Sequence, residues 1–113
     1  MTSLFLDDER NVSDVTWLSL PETDWYVART FLWFKLHIQG GMPEYISFDH
    51  DLQDFDMDTD EERTGMTCLK WLIEYCMDRD MMIPVCFFHT QNPVGKKNME
   101  EYYKNAVKHW NNA

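Results

Sequence analysis

Positive charge is scarce in this sequence: 10 lysines and arginines stand against 20 aspartates and glutamates, for a formal net charge of −10. Such a surface repels nucleic-acid backbones, which excludes an ordinary duplex-DNA binder. Acidic mimicry of DNA fits no better, because the acids gather in a few stretches instead of spreading along helical faces. Cysteine is also sparse. The three residues form no CxxC pair, and Cys68 and Cys76 lie on one expected helix about 12 Å apart by the helical rise, beyond disulfide reach. They read as reduced core thiols. No apolar run approaches the roughly 20 residues that span a bilayer, and "MTSLFLDDER" has neither a basic region nor a cleavage site. The chain is therefore expected to be cytoplasmic, with no membrane partner.

What is present is enough for a core. Hydrophobic residues make up 44% of the 113 and aromatic residues 15%, the composition of one folded domain, residues 1–113, with no linker. Four short apolar runs, "SLFL", "WYVA", "EYISF" and "PVCFF", have the nearly continuous character of strands covered on both faces. Helical spacing follows the later ones. Phe31, Phe34 and Ile38 lead to a glycine stop; Leu69, Leu72, Ile73 and Cys76 recur at i, i+3, i+4 and i+7. Met99, Tyr102, Tyr103, Ala106, Val107 and Trp110 form the clearest stripe, with Asn98 and Glu101 spaced as a cap and its reciprocal partner. This spacing leaves "PVGKK" as a loop, "QDFDMDTDEER" as a mobile acidic loop leading to Thr64 and Gly65, and residues 11–24 as a short helix or irregular connection. Alternating strands and helices imply right-handed crossovers and a mainly parallel four-stranded sheet in an α/β fold.

Each strand ends in polar residues. The first runs into Asp7, Asp8, Glu9 and Arg10, the second into Arg29 and Thr30, the third into Asp49, His50 and Asp51, and the fourth into His89, Thr90, Gln91 and Asn92. In an open parallel sheet these ends share the rim where ligands bind. Carboxylates there suit a hard divalent ion such as Mg2+ or Mn2+ through oxygen, with Asp7, Asp8, Asp49 and Asp51 as candidate ligands; a softer ion would use imidazole and carboxylate together. His50 and His89 each follow a strand and have polar neighbours, the setting of a general acid, a general base or a ligand. Arg10, Arg29, Arg63, Lys96 and Lys97 concentrate the scarce positive charge near this rim, which suits a bound phosphate, although "VGKK" falls far short of a P-loop. Trp33, Trp71 and Trp110 fall on expected helices and read as packing residues.

Taken together, "FLDDER", "ISFDHDL", "TG" before a helix and "HTQNPVGKKNM" resemble the cyclic-phosphate-processing receiver-like family, which is related to the receiver domains of two-component signalling. The resemblance spans nearly the whole chain. It implies a three-layer flavodoxin-like fold, truncated relative to a five-stranded receiver, with sheet order 2-1-3-4. It also implies processing of cyclic phosphates or cyclic nucleotides, often in bacterial and phage conflict systems. By position it makes Asp7 and Asp8 the paired metal-holding acids, Asp49 the acid after the third strand and Thr90 the hydroxyl ending the fourth. The chain departs from receivers in lacking the fifth-strand lysine, for which Lys96 or Lys97 would have to substitute.

The expected activity is phosphoesterase-like, a possible cyclic nucleotide phosphodiesterase acting on a phosphate-bearing small molecule. His89, His50, Asp49 and Thr90 are the expected catalytic residues, and Arg10, Arg29, Thr64, Gly65, Gln91, Asn92, Lys96, Lys97 and Asn98 the expected substrate contacts. Two alternatives use the same scaffold: a protein that sequesters a cyclic nucleotide without cutting it, and a protein-binding module.

Overall fold

In a computed structural model, which describes residues 2–111, the elements run β1 (Thr2–Leu6), β2 (Asp24–Ala28), α1 (Phe31–Gln39), β3 (Tyr45–Phe48), β4 (Asp54–Phe55), β5 (Glu62–Arg63), α2 (Gly65–Asp78), β6 (Val85–Phe88) and α3 (Pro93–Trp110). The main sheet is parallel and ordered β2-β1-β3-β6, the order and truncated receiver-like architecture expected from the sequence. No helix among the described residues is long and apolar enough to cross a membrane.

Side chains alternate across the sheet, and the alternation divides the labour. Leu4 and Leu6, Ile46 and Phe48, and Cys86 and Phe88 face one side, where they meet Phe34 and Ile38 of α1, Leu69, Leu72, Ile73 and Cys76 of α2, and Met99 of α3. Each large side chain buried there stabilises the fold by roughly 1.5–3 kcal/mol relative to exposure. The three cysteines are free and buried; burial pushes the Cys76 thiol up to about 11 and those of Cys68 and Cys86 further. They are inert core residues.

All three helices serve that one face. The other carries Phe5, Ser47 and His89, and it is covered by the irregular segment between β1 and β2, whose only regular turn is a 3-10 helix at Val12–Asp14. Trp17 Nε1 donates to the His89 carbonyl at 2.9 Å, and Phe5 packs edge-on to Trp25 and flat against His89. The third layer is thus a strap in place of a helix.

Two other stretches differ from expectation. Helix α3 begins at Pro93, so "PVGKK" is its first turn and not a loop. Asn92 is the N-cap, its side chain accepting from Gly95 N–H at 3.0 Å, with proline at the first position where its missing N–H costs nothing. Asn98 is consequently an exposed residue inside the helix and caps nothing. The acidic stretch is not a plain loop either. β4 and β5 pair antiparallel, Asp54 opposite Arg63 and Phe55 opposite Glu62, and Arg63 forms an ion pair with Asp56.

The outer edge of β6 has no neighbouring strand among the described residues. Side chains from α3 and its end occupy it instead. The Tyr103 hydroxyl accepts from Cys86 N–H at 3.2 Å and donates to the Pro84 carbonyl at 3.0 Å, and Asn111 pairs with both the N–H and the carbonyl of Ile83. Burial pushes the Tyr103 hydroxyl up to about 12, so it keeps its proton and its donor role. These contacts blunt an edge that would otherwise invite pairing with another chain.

Candidate functional site

The rim beyond the strand ends holds a pocket of about 360 Å3, lined almost wholly by polar side chains from the turns after β1, β3 and β6. Asp7, Asp8 and Asp49 each present a carboxylate oxygen to it, and those oxygens lie within 4.8 Å of one another. They converge because β1 and β3 are adjacent and in register, Leu6 opposite Phe48, so the next residue of each strand reaches the same level.

Asp7 is fully buried and densely hydrogen-bonded. Its Oδ1 accepts from the N–H groups of Glu9 and Arg10 at 2.9 and 2.8 Å; its Oδ2 accepts from His89 Nε2 at 3.0 Å and from Arg10 Nη1 at 3.3 Å. Burial pushes the Asp7 carboxyl up, but the His89 bond and the two backbone N–H groups outweigh it and hold it well below the usual carboxylate range. Asp49 goes the other way. Its burial, aided by the charge of Asp7, raises its carboxyl, while the His50 N–H and the Thr90 hydroxyl work against that rise. Asp8 is raised too, first by burial and then by the charges of Asp49 and Asp7.

Around these acids the structure gathers Thr90, Gln91 and Asn92 at the end of β6, and Arg10, whose guanidinium reaches Gln91 Oε1 at 3.2 Å and Asp49 Oδ1 at 3.9 Å. Asp51 lines the pocket but stands outside the three-acid cluster. It accepts from Asn92 Nδ2 at 3.1 Å and pairs with His50 Nδ1 at 2.9 Å, the His50 contact holding its carboxyl below the usual value.

Several expected site residues lie elsewhere. His89 is not on the rim but beneath it, with none of its surface exposed. Its Nε2 proton faces ionised Asp7, and its Nδ1 meets the Ser47 hydroxyl at 2.6 Å. Ser47 had a signal in the sequence: it is the one small polar side chain among the large ones of the strand "YISF". His50 packs over Gly95, where a Cβ would come within 2.5 Å of its Cγ. Arg29 is spent on the β1 turn, its guanidinium donating to the carbonyls of Asp7 and Arg10 and to Asn11 Oδ1. Lys96 and Lys97 lie along α3, Lys96 beside Phe88, Glu100 and Tyr103, and neither borders the acid pocket; Asn98 does not border it either. Thr64 caps α2, and Gly65 supports the site from below, its N–H donating to the His50 carbonyl at 2.8 Å.

Glu9 of "FLDDER" and two residues outside any motif, Gln53 and Trp17, complete the surroundings. Glu9 and Gln53 line the pocket, Gln53 with a left-handed backbone at φ 50°, and the Trp17 ring lies 5.3 Å from the Arg10 guanidinium. Neither Trp33 nor Trp71 nor Trp110 borders the pocket.

The family model described as "Cyclic-phosphate processing Receiver domain" matches residues 2–105, a stretch that contains every residue of this pocket. The chain belongs to that family. No curated protein and no solved structure matches it. For a cyclic-phosphate processing receiver domain, the donor set fits a hard cation: three carboxylates from two adjacent strand ends, with neither imidazole nor thiolate in the cluster.

Proposed function

We propose that this pocket opens a small cyclic phosphate: water adds to phosphorus, one ring P–O bond breaks, and the product is a phosphate monoester. What carries this reading is the convergence of Asp7, Asp8 and Asp49 on a pocket that also holds Thr90 and the Arg10 guanidinium. Carboxylates alone would repel the substrate; a cation between them and a phosphate turns the same acids into its support. Asp7, Asp8 and Asp49 would hold Mg2+ or Mn2+, which supplies Lewis-acid stabilisation of phosphoryl charge and a more acidic water.

The remaining roles belong to the chain itself. The Thr90 hydroxyl and the Arg10 guanidinium bind phosphoryl oxygens, and Gln91 orients Arg10 through its Oε1. His89 acts as a positioning residue, fixing Asp7 Oδ2 from behind while Ser47 fixes its own ring. The pocket is at the small end of the roughly 300–1,000 Å3 of ligand sites, and no aromatic ring lines it. Recognition therefore rests on the phosphate more than on a stacked base, which favours a single cyclic phosphate over a large cyclic oligonucleotide.

The test is chromatography of the purified protein after incubation with cyclic mono- and oligonucleotides, with Mg2+, with Mn2+ or in EDTA, sampled before and after heat denaturation. The reading expects a ring-opened product that depends on the cation. Intact ligand freed only by heat means sequestration instead, and unchanged free ligand throughout points to a protein partner; either result overturns the proposal.

A further inference from the structure

We propose that Arg10 is a built-in counter-ion of the acid cluster, which leaves Asp7 when a divalent cation arrives and is thereby released towards the phosphate. The inference rests on the reading that the cluster holds a cation, and it begins from lone pairs. A carboxylate offers about four acceptor sites. Asp7 fills them with four donors, two backbone N–H groups on Oδ1 and His89 Nε2 and Arg10 Nη1 on Oδ2. For Asp7 to bind a cation, one donor has to go.

Three of the four are fixed. The backbone donors belong to the turn after β1, which Arg29 staples through the Asp7 and Arg10 carbonyls at 3.2 and 2.7 Å. The His89 ring is clamped by Ser47 on one edge and by the flat stack on Phe5, 4.3 Å between centroids. Arg10 Nη1 makes the longest of the four bonds, 3.3 Å, from a side chain 32% exposed against 1% for Asp7. The guanidinium also has somewhere to stay. Gln91 Oε1 accepts from Nη2, the nitrogen that Asp7 does not hold, and the Trp17 ring lies 5.3 Å from the guanidinium, so it swings at the pocket mouth without leaving it.

Arg10 also offsets part of the repulsion between the buried carboxylates of Asp7 and Asp49, its Nη1 lying at 3.3 and 3.9 Å from them. The exchange couples two ligands. Cation binding frees Arg10 for a phosphate, and by linkage the phosphate strengthens cation binding.

The test is calorimetric titration of Mg2+ into the wild type, Arg10→Gln, Arg10→Lys and Asp49→Asn. Removing the competitor should tighten Mg2+ binding about tenfold in Arg10→Gln, the scale of losing one hydrogen bond to a charged group. Arg10→Lys, which keeps the charge, should stay near the wild type, and Asp49→Asn should bind at least about tenfold more weakly. Trp17 emission gives a second readout: Mg2+ should change the fluorescence of the wild type, and the change should vanish in Trp17→Phe and in Arg10→Gln. Equal or weaker Mg2+ binding by Arg10→Gln beside normal binding by the wild type overturns the exchange and leaves the cation reading standing. Absence of Mg2+ binding in all four proteins, or an Asp49→Asn variant that binds like the wild type, removes the cation reading and the exchange with it.

Discussion

His89 shows how much the chemistry of one side chain depends on what covers it. In the sequence it follows the most apolar strand and resembles a catalytic imidazole; in the fold, Phe5, Ser47, Asp7 and the strap carrying Trp17 enclose it completely. His89→Ala leaves the Ser47 hydroxyl and one Asp7 lone pair without partners and opens a cavity, so it should lower stability by about 3 kcal/mol, read as a fall in Tm. Mg2+ affinity should fall as well, by about 10–100-fold, the range for losing the partner that orients a metal ligand. A destabilised variant with unchanged Mg2+ affinity would make the histidine purely structural.

Asp7 and Asp49 also predict opposite responses to pH. The Asp7 carboxyl is depressed on folding, so its contribution is present above the unfolded carboxylate value of about 3.9 and is lost as pH falls through its lower folded value. The Asp49 carboxyl is raised, so stability falls as pH rises from that unfolded value through the folded one, and at neutral pH its charge is a standing cost. Asp49→Asn should therefore raise Tm by a few °C at pH 7 in EDTA, the shift that about 1 kcal/mol produces in a domain of this size. The gain should shrink as pH drops into the range where Asp49 takes up its proton. A melting series from pH 2 to 8 checks both signs, the Asp7 loss appearing below about pH 4 and the Asp49 effect above it.

At the scale of elements, two glycines let helices approach the site. A Cβ at Gly65 would overlap the Asp49 carbonyl oxygen, which is backbone and cannot turn aside; at Gly95 it would meet the His50 side chain, both ring and Cβ. Gly65→Ala should cost about 3 kcal/mol, at the upper end of overpacking, because α2 must move away from the end of β3. Gly95→Ala should cost less. In a His50→Ala background the cost should shrink, since the ring contacts go and only the Cβ contact at 3.0 Å remains, set against alanine's better helix propensity of about 1 kcal/mol. Chemical denaturation of the two singles and the double variant measures that coupling.

The same glycine explains what the sequence could not reveal about α3. Its inward stripe runs Gly95, Met99, Tyr103, Ala106, but a residue without a side chain adds nothing to an apolar pattern, so the helix reads as starting near Met99. Asn92 and Pro93 carried the true start signal against the competing Asn98 and Glu101. This error alone moved Lys96 and Lys97 from a helix to the rim. The strands were legible because their apolar runs are continuous. β4 and β5 were not, being two residues each, three of the four charged and none buried.

Across the whole molecule, sheet order decides which strand ends meet, and so Asp7, Asp8, Asp49 and Thr90 could be grouped from the sequence as soon as the parallel order was inferred. What lies on the far face could not. Residues 11–23 have no period to read, yet they bury His89 and bring Trp17 beside Arg10. Charge acts at this scale too. With a net charge of −10, three convergent carboxylates add to a field that draws in cations. Mg2+ should accordingly stabilise the wild type by mass action, about 2.7 kcal/mol at a hundred times its dissociation constant, and stabilise Asp49→Asn, whose affinity is at least about tenfold weaker, by no more than about half as much at the same concentration.

The most direct measurement is the anomalous difference density of a crystal soaked in Mn2+. The account predicts one strong peak within bonding distance of carboxylate oxygens of Asp7, Asp8 and Asp49, with the Arg10 guanidinium turned off Asp7 towards Gln91 and Trp17. A peak seated only on the exposed acids of the β4–β5 hairpin, or none at the strand ends, would contradict it.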